Sequence, residues 1–230
     1  MRDILAECEL RYPSIRYEIC TRDSNLEDVE LKTGRGSGER EELQNVEVVN
    51  ILLPGGLEFG RTYGEVVLLD GTYNTNSFSY PVILLSVEDP FGLTRIVQMA
   101  IVVSENEETV GRALEFYKLH VGGRAPLTVM IDKDCKEQSA IRRAFPNARV
   151  LLCRWHVIKY LYQMFSEKVR GSTHLKRSLR QTAKDMAYAK TEDEYEILYT
   201  EMSTLLGEQD SAQEDTFGPY FERIWHAPRV

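Results

Sequence analysis

The chain has 230 residues, a hydrophobic fraction of 43%, a charged fraction of 28% and a formal net charge of −8. This composition is typical of a globular protein, and the length allows one large domain or a domain with an insertion. No apolar run approaches the roughly 18 residues that span a bilayer, and the acidic start of the chain predicts no secretion signal. The four cysteines are scattered, without a Cys-x-x-Cys pair, which favours reduced thiols inside the cell over a disulfide framework.

The charge is distributed unevenly along the chain. The net negative charge argues against a protein that wraps nucleic acid with its whole surface. However, residues 154–190 contain nine Lys or Arg and two acids, an excess of seven positive charges, whereas residues 191–215 contain nine acids and no base. The local pattern, and not the average, therefore indicates where an anionic partner could bind.

The chain begins with an acidic and weakly patterned region. Residues 1–45 end in a Gly-rich, charged stretch at 34–42 that predicts a loop or linker, and the pattern gives this region no role. Strand character returns at 46–53, and Pro54-Gly55-Gly56 interrupts it.

The order of elements becomes clear from residue 65. A short continuous apolar run at 65–70 is typical of a strand that is buried on both faces. Two further strands are predicted at 81–87 and 95–103, and the Pro and Gly between them indicate a tight turn. We therefore expect three consecutive antiparallel strands.

Helices then alternate with strands. Ser104-x-x-Glu107 fits a capping box, and the helix that follows ends at Gly122-Gly123. A strand at 127–131 precedes a second helix, which Asp134-x-x-Glu137 caps and Pro146 stops, and a short fifth strand is predicted at 149–152. Beyond it the pattern is helical. The predicted inward-facing residues are Val110, Leu114, Tyr117 and Val121, then Ile141, Ala144 and Phe145, then Ile158, Leu161, Tyr162 and Phe165, then Leu175, Leu179, Ala183 and Met186, and finally Tyr195, Leu198, Met202 and Leu205.

This order predicts an α/β fold. Three antiparallel strands followed by strands reached through helical crossovers give a mixed sheet covered by helices, which is the order of the RNase H-like fold, here with an all-helical C-terminal part. The predicted organisation is an acidic segment and linker at 1–60, an RNase H-like core at 61–152 and a helical insertion at 153–230.

Two aspartates mark the ends of apolar strands. Asp70 follows Glu-Val-Val-Leu-Leu, and Asp132 follows Leu-Thr-Val-Met-Ile. On adjacent strands of one sheet, their carboxylates would meet at one edge, and such hard oxygen ligands suit Mg²⁺ or Mn²⁺. Two ions ~3.5–4 Å apart support phosphoryl transfer, which normally takes a third carboxylate. The alternative is that Asp70 only caps a turn or helix after its strand.

Cys153 and His156 are three residues apart, so on a helix they share a face. Zinc needs about four ligands, and the sequence shows no second Cys/His pair. We therefore expect a buried cysteine and a hydrogen-bonded histidine, without zinc.

The predicted helix at 172–187 is amphipathic. Arg177, Arg180 and Lys184 lie opposite its apolar stripe. This ridge could follow a phosphate backbone, which would make DNA a partner, or it could be an ordinary solvated face.

These segments resemble the Mutator-like (MULE) transposase domain over residues 65–165, approximately. The matching elements are Leu-Asp-Gly-Thr-Tyr-Asn-Thr-Asn at 69–76, the strand end at Asp132, Ala-Ile-Arg-Arg-Ala-Phe-Pro-Asn-Ala at 140–148 and Cys-Arg-Trp-His-Val-Ile-Lys at 153–159. The string from Ile131 to His156 most resembles the branch found in SWIM zinc-finger proteins.

The resemblance implies an RNase H-like core of the DDE type with a helical insertion after the fifth strand. It implies that Asp70 and Asp132 are the first two catalytic, metal-binding acids, and that Cys153 and His156 are the Cys-x-x-His motif of the family. It also implies metal-assisted hydrolysis and strand transfer of DNA, and a nuclear location.

This sequence departs from the family in its C-terminal part. The third acid of the family lies on a helix beyond an aromatic segment like 220–225, and it is not found before Val230; Glu222 is out of register with it. The Cys-x-Cys…Cys-x-His motif is absent as well. We therefore expect a domesticated or fragmentary protein that binds DNA or proteins in the nucleus without cutting, with weakly bound Mg²⁺ or Mn²⁺ and no membrane or small-molecule partner. The alternatives are an active Mg²⁺-dependent transposase domain, if an acid beyond Val230 completes the site, and an inert interaction scaffold.

Overall fold

The computed structural model describes residues 11, 15–21, 46–121, 125–132, 135–207, 217–222 and 225. The chain divides into two compact units, Met1–Leu152 and Cys153–Val230. Among the described residues, no helix is both long and apolar enough to cross a membrane. The predicted cap at Asp134 and the predicted helix end at Gly122-Gly123 lie outside the described residues.

The first unit is built on a mixed sheet of seven strands. Its elements are β1 (Arg16–Thr21), β2 (Val46–Leu52), α1 (Gly56–Tyr63), β3 (Val66–Thr72), β4 (Val82–Glu88), β5 (Thr94–Val102), α2 (Glu107–Val121), β6 (Thr128–Ile131), α3 (Cys135–Ala144) and β7 (Arg149–Leu152). The strands lie in the order β1-β2-β5-β4-β3-β6-β7. β3, β4 and β5 pair antiparallel, and β6 and β7 join them in parallel after α2 and α3. The predicted α/β, RNase H-like order of antiparallel strands and helical crossovers is confirmed.

The core of this unit fills one face of the sheet. Alternate residues of the strands, including Val67, Leu85, Val97 and Val129, are fully buried together with the inward side of α2 and α3. The predicted inward residues of α2 and α3 are all buried. Successive residues of each strand therefore point to opposite faces of the sheet, which positions the aspartates discussed below.

The start of α2 differs from the predicted capping box. The N-cap is Asn106, whose side-chain oxygen accepts hydrogen bonds from the backbone N–H groups of Glu108 and Thr109 at 3.0 Å each. The Thr109 hydroxyl accepts in return from the Asn106 N–H and donates to the Ser104 carbonyl. Asn106 caps the helix instead of Ser104 because it directly precedes the first helical residue, so its short side chain reaches the unpaired N–H groups.

The sheet also begins earlier than the predicted boundary at residue 61. β1 and β2 pair antiparallel, and β2 pairs with β5, so part of the segment 1–60 belongs to the sheet. Buried polar side chains hold these strands: Asn50 donates to Glu18 at 3.0 Å, and Gln98 donates to Asn50 at 3.2 Å. These contacts join residues 32 and 48 positions apart, so a local pattern could not predict them.

The second unit is helical, as predicted. Its helices are α4 (Arg154–Glu167), α5 (Thr173–Tyr188), α6 (Glu192–Gly207) and the short α7 (Phe217–Phe221). The predicted stripes meet in one core that includes Leu161, Phe165, Leu175, Leu179, Ala183, Met186 and Met202, with Phe217 and Phe221 from α7. The Ser172 hydroxyl caps α5 by accepting from the N–H of Leu175 at 3.1 Å.

Candidate functional site

Asp70 and Asp132 lie at equivalent positions of two neighbouring parallel strands. The register of β3 and β6 pairs Val66 with Thr128 and Leu68 with Met130. Two residues further along, this register places Asp70 opposite Asp132, which directly follows β6. Adjacent strands in a sheet are about 4.8 Å apart, so the two backbones are close at this edge.

The two aspartates also share a face of the sheet. Leu69 and Ile131, their chain neighbours, are buried in the core on the face covered by α2 and α3. Because side chains alternate along a strand, Asp70 and Asp132 belong to the opposite face, where both are half-buried. The topology thus brings together the two carboxylates that the sequence singled out.

A third acid, Glu105, lies next to this edge but on the other face. A Cβ added to Gly71 would lie 2.9 Å from Glu105 Oε2, and Gly71 points to the core face of β3. The Tyr73 hydroxyl donates a hydrogen bond to the same carboxylate oxygen. Within the described residues, no group of three or more His, Cys, Asp or Glu is arranged to hold a metal ion. Asp70 and Asp132 could therefore supply two hard oxygen ligands, whereas the Glu105 carboxylate is hydrogen-bonded to Tyr73.

The loop after β3 is ordered by one asparagine. Asn76 Oδ1 accepts from the N–H groups of Phe78 and Tyr80, and its amide donates to the Tyr80 carbonyl at 2.7 Å. The rings of Phe78 and Tyr80 stack at 6.0 Å and are exposed, so this loop presents aromatic surface at the end of the strand that carries Asp70. The run Tyr-Asn-Thr-Asn at 73–76, which carries part of the family resemblance, begins this loop.

Cys153 and His156 lie at the start of α4. Cys153 occupies the N-cap position, where its carbonyl accepts from the N–H of Val157 at 3.0 Å. It is not in a disulfide, and it is half-buried instead of buried as predicted, because it lies at the N-terminal end of its helix. His156 follows in the first turn. Its ring and the Trp155 ring are nearly perpendicular, with their centres 4.7 Å apart. The absence of zinc stays a prediction. The other described free cysteine, Cys20, is unsuited to thiolate chemistry, because burial raises its pKa to about 12.

The basic ridge of α5 is exposed, as predicted. Arg177, Arg180 and Lys184 lie opposite the buried stripe of this helix. Arg180 also contacts α4: it donates to the Ser166 hydroxyl at 2.7 Å, and its guanidinium lies 5.6 Å from the centre of the Tyr162 ring. Arg180 therefore helps to pack α5 against α4, in addition to being part of the ridge.

Sequence reasoning missed an aromatic and basic surface where α4 begins and α5 ends. The Arg154 guanidinium lies 4.5 Å from the centre of the Tyr188 ring, and Lys159 Nζ lies 4.7 Å from the centre of the Trp155 ring. Both rings are mostly exposed. The signal was present in Cys-Arg-Trp-His, but the partner Tyr188 lies 34 residues from Arg154 and is brought there only by the pairing of the two helices.

Glu222, which the sequence placed out of register with a third acid, has a partner within the helical unit. The Tyr199 hydroxyl donates to its carboxylate, and this hydrogen bond raises the pKa of Tyr199. Nearby, the hydroxyls of Tyr160 and Tyr220 are hydrogen-bonded to each other at 2.5 Å. Glu222 thus contributes to packing between α6 and the C-terminal segment.

Comparison with known proteins agrees with this architecture. Residues 45–151 match the model of the RNase H-like domain of zinc finger SWIM domain-containing proteins 1 and 3. The chain is also similar to two proteins of Arabidopsis thaliana. It is 25% identical to Protein FAR-RED IMPAIRED RESPONSE 1 over 146 residues, which cover 64% of this chain and 17% of that protein. It is 24% identical to Protein FAR1-RELATED SEQUENCE 5 over 104 residues, which cover 45% of this chain and 13% of that protein. The chain thus spans less than a fifth of the length of these relatives.

Proposed function

Because residues 45–151 carry an RNase H-like domain related to transposase-derived proteins, we propose that this protein is a transposase-derived module that binds DNA in the nucleus through its helical unit. We further propose that its pair of carboxylates holds a divalent cation only weakly and does not cut DNA. One observation carries the DNA proposal: seven excess positive charges are concentrated in residues 154–190 of a protein with a net charge of −8.

The placement of these charges supports a phosphate-binding role. The core of the helical unit is made by the opposite, apolar side of α5, and Arg177 and Lys184 are exposed. Lys and Arg side chains that neutralise phosphates release condensed counterions, which makes binding tight at low salt and steeply salt-dependent. The acids of α6 would confine such binding to the α4–α5 side of the unit.

Reversing the charge of Arg177 and Lys184 tests this proposal. We expect Arg177→Glu/Lys184→Glu to weaken retention of duplex DNA and to reduce the slope of log affinity against log salt by about 2, because each lost phosphate contact removes about 0.9. This pair spares Arg180, whose contacts with Ser166 and Tyr162 support packing. Adding Arg180→Glu should weaken binding further. The measurement is filter binding over a series of salt concentrations.

The matched control makes the same change of charge on the other unit. Lys118 and Arg142 are exposed on α2 and α3, and Lys118→Glu/Arg142→Glu should leave the salt slope nearly unchanged. If both double variants weaken binding equally, only the net charge matters and the ridge is an ordinary solvated surface. If neither changes it, DNA does not bind through α5.

The carboxylate pair leads to a second prediction. We expect Mg²⁺ and Mn²⁺ to bind with millimolar affinity, because Asp70 and Asp132 supply two of the six or more oxygen ligands that a hard cation prefers. Asp70→Asn should abolish this binding, whereas Glu105→Gln should preserve it, since Glu105 lies on the other face of β3. Titration of Mn²⁺ followed by electron paramagnetic resonance measures the free ion directly.

The shared register of Asp70 and Asp132 favours a second candidate function, metal-dependent DNA hydrolysis. Bound divalent ions would supply activation of the attacking oxygen and stabilisation of the leaving oxygen. Under this candidate, the protein would bind Mn²⁺ tightly and would nick supercoiled plasmid, and Asp70→Asn would lose both properties. Weak binding without nicking supports the non-cutting module.

A further inference from the structure

The first turn of α4 and the last turn of α5 form a surface with two exposed aromatic rings. Trp155 is 61% exposed and Tyr188 is 55% exposed. Arg154, adjacent to Trp155 in the chain, places its guanidinium 4.5 Å from the centre of the Tyr188 ring, so a basic residue lies between the two aromatic positions. We call Arg154, Trp155, Lys159 and Tyr188 the aromatic patch.

Each ring of the aromatic patch is accompanied by a cation. Lys159 lies one turn after Trp155 and places its ammonium 4.7 Å from the centre of the indole. A cation on an aromatic face is attracted by the quadrupole of the ring, which helps to hold the ring in place. With more than half of its surface exposed, the indole still offers area to a flat ligand.

The positive charges of α4 and α5 favour an anionic ligand, although two acids, Asp185 and Glu194, line a cavity with Tyr188. Residues 154–190 carry the excess of seven positive charges, and the ridge of Arg177, Arg180 and Lys184 belongs to α5, the helix that ends at Tyr188. The charges of an anionic peptide would pair with the cations, but they would leave the two aromatic faces without a stacking partner. A strand of nucleic acid with unpaired bases satisfies both, since bases stack on aromatic rings while phosphates meet cations.

We propose that the aromatic patch binds single-stranded nucleic acid by stacking unpaired bases on Trp155 and Tyr188. This inference rests on the proposed DNA-binding function and specifies its substrate: a strand whose bases are accessible. Duplex DNA hides its bases in the stack, so it would contact the ridge and not the rings. The patch would therefore engage an unpaired end, gap or flipped base next to a duplex bound along α5.

Intrinsic fluorescence gives a direct test, because the chain contains only two tryptophans, Trp155 and Trp225. In a Trp225→Phe variant of the full chain, Trp155 is the sole indole. We expect a single-stranded oligothymidylate to quench its emission in a saturable manner. An abasic oligonucleotide of equal length and inorganic polyphosphate carry the charge without the bases, and should cause little quenching.

Affinity measurements complete the test. Stacking is worth about 1–3 kcal/mol per base, so Trp155→Ala should weaken single-strand binding roughly 5- to 150-fold and change duplex binding little. Tyr188→Ala should act in the same direction. Leu119→Ala, a control on α2 of the sheet unit, removes a side chain that is 59% exposed and should have no effect.

The outcomes separate this inference from the proposed function. Equal quenching by abasic and normal strands, or equal loss of single-strand and duplex binding in Trp155→Ala, would overturn base stacking while leaving DNA binding intact. Quenching by single strands in a protein that fails to bind duplex would support the patch and contradict the duplex-binding ridge. An acidic phosphopeptide that quenches Trp155 as strongly as the oligothymidylate would also overturn the inference.

Discussion

Replacing Arg112 with methionine should lower the free energy of unfolding of the sheet unit by about 3–5 kcal/mol. Arg112 is only 8% exposed on α2. Its guanidinium donates to the Thr21 carbonyl of β1 at 2.9 Å and to Glu108 at 3.0 Å, and it lies 3.9 Å from Glu47. Methionine retains most of the apolar stem but leaves the Thr21 carbonyl and the mostly buried Glu47 carboxylate without this donor.

Hydrogen exchange, followed on peptides from residues 46–121, measures the loss of stability of the sheet unit. The fluorescence transition in urea should stay unchanged, because both tryptophans belong to the helical unit. Arg143→Met is the matched control: Arg143 pairs with Glu107 at 3.1 Å, but both side chains are at least half exposed. Its loss should cost at most about 1 kcal/mol. Equal effects of the two substitutions would mean that burial of Arg112 adds nothing.

The strands of the RNase H-like domain were predictable because their signal is local. β3, β4, β5, β6 and β7 are each a short apolar run bounded by Pro, Gly or charged residues, and they lie within two residues of the predicted positions. The crossover rule then restricts how strands separated by helices can pair. The sequence placed Asp70 and Asp132 at the ends of two strands, and the observed parallel pairing of β3 with β6 brings them side by side, although β3 continues two residues past Asp70.

Helix α1 was not predicted because its glycines suggest the opposite of a helix. Gly56 and Gly60 each weaken a helix by roughly 1 kcal/mol relative to alanine. Here they allow close packing: a Cβ on Gly56 would lie 2.3 Å from the Val97 carbonyl, and one on Gly60 would lie 2.9 Å from a methyl group of Val121. The need for small residues is set by the neighbouring strand and helix, which a local pattern does not contain.

The features of the candidate sites that were missed share a physical cause. The contact of Glu105 with Tyr73 joins two loops, and the contact of Arg154 with Tyr188 joins opposite ends of two helices. The sequence shows the residue types but not which pairs meet. Arg112 illustrates the same limit. A charged residue in a helix is expected to face solvent, and only the structure shows that Arg112 is buried and bonded to β1.

Replacing Phe165 with alanine should destabilise the helical unit by about 3–5 kcal/mol. Phe165 is fully buried in α4, and its ring meets Phe217 of α7 edge to face at 5.2 Å. A unit of this size has a stability of roughly 4–12 kcal/mol at 0.05–0.15 kcal/mol per residue, so the loss is a large part of the total. The transition followed by tryptophan emission in urea should shift to a lower midpoint, with Trp225, packed 5.7 Å from Tyr160, as the reporter.

Phe91→Ala is the control, because Phe91 is 86% exposed at the β4–β5 turn and its loss should change stability by less than about 0.5 kcal/mol. A similar midpoint for both variants would contradict the core position of Phe165.

The Phe165→Ala variant also separates a loss of folding from a loss of nucleic-acid binding. Phe165 is buried and cannot touch a ligand, so any loss of oligonucleotide binding in Phe165→Ala must follow the urea midpoint and return when the folded population is restored. Trp155→Ala, by contrast, should lose single-strand binding at an unchanged midpoint, because its side chain stabilises the bound strand and not the bundle.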